Sequence, residues 1–452
     1  MRNSLRLVHL QLVLAFLFVC SSGYANTYAL RGTVVTPGDV IENGVVVVTD
    51  GIIAAVGANV AIPEGAREIE TNGFIYPGLI DLHNHLTWNA HPRWSPPLAK
   101  NRYEWQAMDS YAVNLSGPQQ KVRSLASCDL ERFGEVKALV WGATSTTGGL
   151  FLDKCVRGMA RNLDAFSALF PADPAKEPAV EYRIFPMELK AEDEAIVRKA
   201  LADGKAVLAH LSEGIDPSAA RELRMARAHG FLTKGFVIIH GVPLVEKDFA
   251  ELAVNGVGMV WSPRSNIELY GKTADVAAAK RNNVLMAIAP DWSPSGSSGM
   301  LAELRYAALW SDQQFPKVFT ARELVQMATA NAAKLARLDA KIGRLEQGLV
   351  ADYVVVRRGT RTDPYESLIY AAHADILAVA VGGRPLYGDA AMMRAINPGA
   401  KAEPMTICGV ERAVDMSDSD DGKGVSFADT LKNLYAAFWA FQLPMAGLAD
   451  CP

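Results

Sequence analysis

Gly78-Leu79-Ile80-Asp81-Leu82-His83-Asn84-His85 is the stretch that decides the fold, because a short apolar run ends there in two histidines. Apolar runs of similar length return along the chain, separated by stretches with helical periodicity. This alternation is typical of parallel strands joined by crossover helices. The predicted strands are Leu79 to His83, Ala138 to Thr144, Tyr182 to Met187, Ala206 to His210, Phe236 to His240, Val257 to Trp261 and Val284 to Ala289. An eighth strand near Val156, whose position stays open, would close a (β/α)₈ barrel of the TIM type.

Short β-rich runs lie on both sides of this region. Gly44-Val45-Val46-Val47-Val48 is followed by Asp50-Gly51, which predicts a hairpin. Similar runs return in Ala351 to Val356 and in Ile376 to Val381. We therefore expect an α/β protein with a small β-sandwich domain built from both ends of the chain. The expected boundaries are 27–75 and 345–395 for the sandwich, 76–344 for the barrel and 396–452 for a C-terminal extension.

The N-terminus has the three parts of a secretory signal peptide. Arg2 and Arg6 give a positive start, Leu12 to Val19 is apolar, and small residues end at Ala25. A membrane anchor is the alternative, but the apolar run is shorter than the ~20 residues that a spanning helix needs. A lipoprotein signal through Cys20 is disfavoured because Val19 stands where a small residue is required. Residues 1–25 are thus predicted to be removed, leaving an exported protein, periplasmic or secreted, with no stable membrane span.

The remaining cysteines are an even number, which permits disulfides in an oxidising compartment. We favour Cys128 with Cys155 and Cys408 with Cys451, since each pair falls within one region of the chain. Four free buried thiols are the alternative.

Charge and composition favour a small-molecule substrate over a nucleic acid. The formal net charge is -4, and no run of Lys and Arg suited to a phosphate backbone occurs. A homo-oligomer is compatible with the sequence, which does not decide the oligomeric state.

Histidines and an aspartate stand at the C-terminal ends of the predicted strands, where a barrel of this type places its reacting groups. His83, His210 and His240 end their runs, and Asp291 follows the last run. His85 lies two residues after His83, so that both imidazoles point to the same side of a strand. Each of these residues alone is more often structural, as a buried histidine or a helix cap. Their combination predicts a metal site.

These residues carry a family resemblance. Gly78 to His85 and the Asp50 to Gly57 hairpin are similar to the first barrel strand and the sandwich of the amidohydrolase superfamily. More narrowly, the chain resembles the branch of cytosine deaminase, the triazine chlorohydrolases and methylthioadenosine deaminase. The segments that carry this closer resemblance are His210-Leu211-Ser212-Glu213, His240-Gly241-Val242, Trp261-Ser262-Pro263-Arg264-Ser265-Asn266 and Asp291-Trp292-Ser293-Pro294-Ser295-Gly296.

The resemblance implies one divalent metal, zinc before iron or manganese, and hydrolysis of a carbon-nitrogen bond other than a peptide bond. Its implied ligands are His83, His85, His210 and Asp291. Glu213, His240 and Asp291 are its implied catalytic residues, which would move protons and stabilise charge while metal-activated water attacks. The expected reaction is deamination of an N-heterocycle. Contact with that substrate is expected from Trp88, Arg264, Asn266 and Trp292, although each of these could instead only pack its loop.

Two other functions stay open at this point. A two-metal amidase, cyclic amidase or dipeptidase-like enzyme would need a bridging group, for which Glu188 or Lys190 is placed near the end of the fourth strand. Lys190 begins a charged stretch that reads more simply as an exposed helix start. A non-catalytic binding protein would normally lack some of the ligands, whereas all of them are present here.

Overall fold

The computed structural model describes residues 26–36, 38–148, 153–156, 158–165, 178–183, 190–314, 316–419 and 424–451. The predicted signal peptide, Glu188 and residues 184–187 of the predicted strand Tyr182 to Met187 lie outside the described residues. In chain order, the strands are β1 (Thr27–Val35), β2 (Val40–Thr49), β3 (Ile52–Gly57), β4 (Arg67–Pro77), β5 (Leu79–Asp81), β6 (Ala143–Thr146), β7 (Arg161–Asn162), β8 (Val180–Arg183), β9 (Ala206–Leu211), β10 (Phe236–His240), β11 (Gly258–Trp261), β12 (Met286–Ile288), β13 (Tyr353–Arg357), β14 (Ile376–Val381), β15 (Arg384–Gly388), β16 (Glu403–Ile407) and β17 (Val410–Val414).

The helices cover most of the connections between these strands. In chain order, they are α1 (Arg102–Gln106), α2 (Asp109–Tyr111), α3 (Gly117–Val140), α4 (Ala191–Ala202), α5 (Pro217–Ala228), α6 (Glu246–Val254), α7 (Pro263–Tyr270), α8 (Val276–Arg281), α9 (Met300–Asp312), α10 (Ala321–Met327), α11 (Ala330–Leu335), α12 (Pro364–Ile369), α13 (Ala390–Ile396) and α14 (Phe427–Ala440). Short 3₁₀ turns occupy Leu86–Trp88, Asp153–Val156 and His373–Asp375, and a π-helical turn occupies Ala112–Ser116. In the part of the chain that the structure describes, no helix combines the length and the apolarity needed to cross a membrane.

A nine-stranded sheet joins the two ends of the chain, in the order β16-β17-β15-β14-β13-β4-β1-β2-β3. Strand β4 connects the N-terminal and C-terminal strands of this sheet, because it pairs with β1 in parallel and with β13 antiparallel. The predicted hairpin is present, since Thr49 pairs with Ile52 across Asp50 and Gly51. Gly51 has a φ of +81° and faces the carbonyl of Gly382 so closely that a Cβ would clash. The sheet also includes β16 and β17, which lie in the region expected to be an extension.

Eight parallel strands among the described residues carry the candidate site. They form two sheets, β5-β6-β7 and β12-β11-β10-β9-β8. Backbone hydrogen bonds connect the two sheets at both of their edges. Asp291 N–H donates to the carbonyl of His83, and Val180 N–H donates to the carbonyl of Leu163. The N···O distance is 3.0 Å in each bond. The fold is thus mixed α/β with one large additional sheet.

Two predicted strands differ from the structure. The run from Ala138 to Thr144 is half helical, because α3 continues to Val140 before β6 begins at Ala143. A short buried apolar run has no periodicity that separates a helix end from a strand. The strand sought near Val156 is β7, at Arg161–Asn162, while Val156 ends a 3₁₀ turn. Two polar residues give no strand signal, and so the sequence could not place this element.

Both favoured cysteine pairs are bonded. One disulfide joins Cys128 on α3 to Cys155, and the other joins Cys408, between β16 and β17, to Cys451 near the C-terminus. The second bond ties the last residues of the chain to the nine-stranded sheet.

Candidate active site

The strand-end residues predicted from the sequence converge in the structure. His210 is the penultimate residue of β9 and His240 is the last of β10, while His83 and Asp291 come two and three residues after β5 and β12. All four side chains are buried. His240 and Asp291 have φ values of +80° and +67°, which non-glycine residues rarely adopt. Such strain tends to be kept where it serves a site.

The side-chain donor atoms of this group lie at the separations that a small cation imposes. Nε2 of His83 is 3.1 Å from Nε2 of His210 and 3.2 Å from Oδ1 of Asp291. Nε2 of His85 is 3.3 Å from the same Oδ1. A tetrahedral zinc ion with bonds of about 2.1 Å separates neighbouring ligand atoms by roughly 3.4 Å. Among the described residues, the donor atoms of His83, His85 and His210 lie within 4.8 Å of one another, and so do those of His83, His240 and Asp291. Both trios have the donor chemistry of a divalent metal site.

In His83 and Asp291, the polar atom that faces away from the other proposed ligands is hydrogen-bonded to a serine hydroxyl group. Nδ1 of His83 lies 2.7 Å from Oγ of Ser262, and the Ser265 hydroxyl donates to Oδ2 of Asp291 over 2.7 Å. Hydrogen bonds of this kind fix the orientation of metal ligands. His83 and Asp291 are thus preoriented.

Electrostatics keeps these groups in the protonation states that a cation needs. Burial lowers the pKa of His83 from 6.5 to about 4, and it lowers the pKa of His210 well below its usual value. Burial raises the pKa of Asp291, but the adjacent His83 and His85 outweigh it and hold that pKa well below its usual range. At neutral pH His83 and His210 therefore present uncharged imidazoles, and Asp291 presents an ionised carboxylate.

Glu213 and His240 form a pair beside the metal-ligand group. Oε2 of Glu213 lies 3.7 Å from Nε2 of His240, and both residues are buried. Nδ1 of His240 lies 2.9 Å from Oδ1 of Asn266, whose own amide nitrogen donates to Thr273. With this orientation of Asn266, Nδ1 of His240 donates to the amide oxygen. Nε2 of His240 has no hydrogen-bond partner among the described residues.

Helix α7 supplies the supports of three site residues. It begins at Pro263, with Ser262 as the single residue between it and β11, and Gly271 ends it with a φ of +65°. Its side chains bond Asp291 through Ser265, His240 through Asn266 and Glu213 through Tyr270. One short helix thus positions groups that come from three strand ends.

A cavity of about 330 Å³ opens onto these residues. One side is aromatic and the other is polar. Its lining consists of Trp88, Trp105, Gln106, Tyr111, Trp292, His85, His210, Glu213, His240 and Asp291.

The expected substrate residues divide into two groups. Trp88 and Trp292 line the cavity. Asn266 lies behind His240 instead of facing the cavity. Arg264 is also outside the lining, since its Nε is 3.8 Å from the Glu268 carboxylate and its guanidinium lies over the Tyr306 ring. Lys190 is the N-cap residue of α4, which agrees with a helix start.

Several residues of the site were missed by sequence reasoning. Tyr270 follows Asn266 by four positions, which is about one helical turn. That spacing could have indicated that both side chains lie on the same face of a helix. Trp105 and Tyr111 belong to the long segment after β5, whose aromatic residues gave no sign of which would face the cavity. Ser262 and Ser265 stand within the segment that carries the family resemblance.

Comparisons with known proteins show which family and which enzymes this chain resembles. Residues 164–386 match the model of the amidohydrolase family. The 5-methylthioadenosine/S-adenosylhomocysteine deaminase of Symbiobacterium thermophilum is 26% identical over 406 residues, which cover 78% of this chain and 90% of that protein.

Solved structures of low sequence identity share the fold. An adenosine deaminase from Xanthomonas campestris with bound zinc has a TM-score of 0.65 and 17% identity, covering 92% of this chain and 98% of its own. A mutant of the atrazine chlorohydrolase from Arthrobacter aurescens TC1, complexed with zinc and atraton, has a TM-score of 0.66 and 18% identity. The match covers 91% of this chain and 99% of that chain.

Proposed function

We propose that this chain is a metal-dependent hydrolase that deaminates a small N-heterocycle, and the match of residues 164–386 to the amidohydrolase family model supports this. The observation that carries the proposal is the convergence of His83, His85, His210 and Asp291 beside the Glu213–His240 pair. The related deaminase sequence and the zinc-containing fold neighbours support the same reaction class.

We propose one metal ion, most readily zinc, held by His83, His85, His210 and Asp291. When bound, such an ion supplies the Lewis acidity that makes water a nucleophile near neutral pH. Neutral imidazoles with a carboxylate are the donors that zinc prefers. The alternative with a second metal depends on a bridging group from Glu188 or Lys190, and Lys190 is already accounted for as the start of α4.

The remaining chemistry falls to side chains of this chain. Glu213 can carry a proton towards the leaving nitrogen because its Oε1 is fixed by Tyr270 while Oε2 faces the site. His240, held by Asn266, can accept or return a proton at Nε2. Oδ2 of Asp291 stays bonded to Ser265, so that only Oδ1 is available to the reacting groups. General acid-base groups placed in this way typically contribute 10²–10⁴-fold to turnover.

The proposed fold is a closed (β/α)₈ barrel. Parallel pairing within the two sheets, together with the hydrogen bonds at both seams, supports closure. The site then lies at the C-terminal end of the barrel strands, as it does in enzymes of this architecture.

We also propose that the protein is exported after removal of residues 1–25. Two disulfides in the described part of the chain support this, because such bonds persist in oxidising compartments. N-terminal sequencing of protein from the native host checks it: the expected first residue is near Asn26, and an intact Met1 in a soluble cytoplasmic fraction contradicts export.

Release of ammonia tests the proposed reaction. The mature protein is incubated with aminopyrimidines, aminopurines and aminotriazines, before and after chelation and readdition of zinc. We expect ammonia from at least one ring, loss of activity on chelation and its return with the metal. Hydrolysis of amides alone, or ammonia release that survives complete metal removal, contradicts the proposal.

A further inference from the structure

We propose that residues 443–451 form a strap that positions the two loops carrying three of the proposed metal ligands, and that the Cys408–Cys451 disulfide locks this strap in place. The loop after β5 carries His83 and His85, and the loop after β12 carries Asp291. The inference rests on the proposed function, because it concerns the positioning of the same site.

The strap is hydrogen-bonded to both loops. Ala446 N–H donates to the carbonyl of Ala90, in the loop after β5, over 2.8 Å. The Ser298 hydroxyl, in the loop after β12, donates to Oδ2 of Asp450 over 2.7 Å. Ser298 is buried, so its hydroxyl group needs an acceptor inside the protein. One short stretch of chain therefore connects the two loops.

Trp141, the residue after α3, contacts both the strap and the loop after β12. Its indole N–H donates to the carbonyl of Leu448 over 3.0 Å. A Cβ at Gly299 would lie only 2.4 Å from Cβ of Trp141, so this close approach of the loop requires glycine. Trp141, Leu448 and Ala449 are all buried. The strap thus packs as part of the protein interior at this point.

Asn89 connects the strap contacts to the proposed ligands. It directly precedes Ala90, and its side chain accepts a hydrogen bond from Ser293 N–H and donates one to Oδ1 of Asn84, each over 2.8 Å. Asn84 stands between the two histidine ligands of its loop, and Ser293 lies two residues after the aspartate ligand. Hydrogen bonds around a metal site orient its ligands and affect metal affinity. A shift of Ala90 therefore reaches the backbone that carries these ligands.

Asp450 also compensates a buried positive charge. Lys137 on α3 is buried, and its Nζ donates to the carbonyl of Asn89 over 3.0 Å. Burial lowers the pKa of Lys137 from 10.5 to about 8, and the negative charge of Asp450 opposes this fall. Removing the Asp450 carboxylate leaves the Lys137 ammonium less compensated, which is unfavourable in the protein interior. The strap therefore acts on the loop after β5 through charge as well as through the Ala446 hydrogen bond.

The disulfide anchors the strap to a rigid part of the fold. Cys408 and Gly409 form the tight turn between β16 and β17, so the anchor belongs to the nine-stranded sheet. Within the strap only Leu448 and Ala449 are buried, and its other residues are half-buried or exposed. A segment with few buried apolar contacts opens easily. The covalent bond at Cys451 limits this opening, because it restricts the chain at the end of the strap.

Hydrogen exchange followed by mass spectrometry tests the strap without a substrate. The wild-type protein as isolated is compared with a double variant, Cys408→Ser with Cys451→Ser, and with Asp450→Ala. We expect exchange in residues 86–94, 293–299 and 443–451 to become about tenfold faster or more in both variants, because the local opening is easier. Strand β2, near the far end of the nine-stranded sheet, should stay as protected as in the wild type.

Glu411→Ala is the matched control. Glu411 is an exposed acidic residue on β17, close in sequence to Cys408 but outside the strap. This variant should exchange at the wild-type rate in all of these segments. Asp450→Ala retains both cysteines, so that it tests the strap even where the double serine variant does not fold.

Zinc affinity, measured by competition with a chromophoric chelator, is the second readout. Both strap variants should bind zinc about tenfold more weakly than the wild type, since changes beyond the ligands typically weaken metal binding by roughly 10–100-fold. Unchanged exchange in the two loops overturns the inference, and so does unchanged zinc affinity. Faster exchange that extends equally to β2 also overturns it, because the strap would then stabilise the whole fold without positioning the loops.

The two proposals fail differently. Wild-type protein that releases no ammonia from any ring, while the strap variants lose local protection and zinc affinity, contradicts the proposed reaction and leaves the strap standing. Zinc-dependent ammonia release that is equal in the wild type and both variants, together with unchanged exchange, contradicts the strap and leaves the reaction standing.

Discussion

The phenol hydroxyl of Tyr270 donates a hydrogen bond of 2.6 Å to Oε1 of Glu213. Burial raises the pKa of Tyr270 well above its usual value of 10, and the Glu213 carboxylate raises it further. The phenol therefore keeps its proton at any ordinary pH and acts only as a donor. Trp105, which lines the cavity, donates in turn to the Tyr270 oxygen, so that Tyr270 connects Trp105 to Glu213.

Tyr270→Phe removes this donor and leaves the ring in place. A hydrogen bond to a charged group contributes about 1.5–3 kcal/mol, which corresponds to a fall in turnover of about tenfold or more. Metal content should not change, because Tyr270 contacts no proposed ligand. Steady-state kinetics on an identified substrate measures this fall in turnover. The control is Tyr435→Phe, at an exposed position. Wild-type turnover in Tyr270→Phe would show that the bond does not position Glu213.

Glu213→Gln separates catalysis from metal binding. Glu213 lies three residues after His210, beside the proposed ligands, and an amide of the same shape cannot transfer a proton. We expect near-normal metal content and folding, with turnover lowered at least ~10²-fold. By contrast, His83→Ala and Asp291→Ala should lose metal and activity together. Turnover and metal content are measured on the same preparations of each variant. A Glu213→Gln variant with wild-type turnover contradicts the role of Glu213 in proton transfer.

Buried Glu303 on α9 should make stability depend on pH. Burial raises its pKa from 4.5 to about 7, while its Oε1 accepts a hydrogen bond from the backbone N–H of Arg264. Between these values the unfolded chain releases the proton and the folded chain retains it. The contribution of Glu303 to the free energy of unfolding therefore falls by up to about 3 kcal/mol as pH rises from 4.5 to about 7.

Glu303→Gln removes this dependence. The Tm of the variant minus the Tm of the wild type should grow with pH across that window and level off above it. Differential scanning calorimetry at matched ionic strength measures the difference. A Tm difference that stays constant from pH 4.5 to 7 contradicts the account of Glu303.

The sequence predicts those parts of the fold that local pattern encodes. Apolar runs ending in His210 and His240 locate β9 and β10 closely. Other parts depend on tertiary contacts. β7 is a strand only through its pairing with β6, since Arg161 and Asn162 carry no apolar signal.

The candidate site divides in the same way. Strand ends bring together the proposed ligands, so residues in those positions could be predicted from the order of runs along the chain. Arg264 and Asn266 were expected to touch substrate because they follow a strand, but the start of α7 at Pro263 turns Asn266 behind His240 and Arg264 towards Glu268. The cavity lining brings Trp292 together with Trp88, Trp105 and Tyr111 from a distant segment, a relationship that no local pattern contains.

Metal content per chain tests the central claim most directly. Protein isolated without added metal is analysed by inductively coupled plasma mass spectrometry, alongside His210→Ala prepared in the same way. The account predicts close to one divalent ion per wild-type chain, most readily zinc, and close to none in His210→Ala. A value near two in the wild type, or equal content in both proteins, would contradict a single-metal site built on His83, His85, His210 and Asp291.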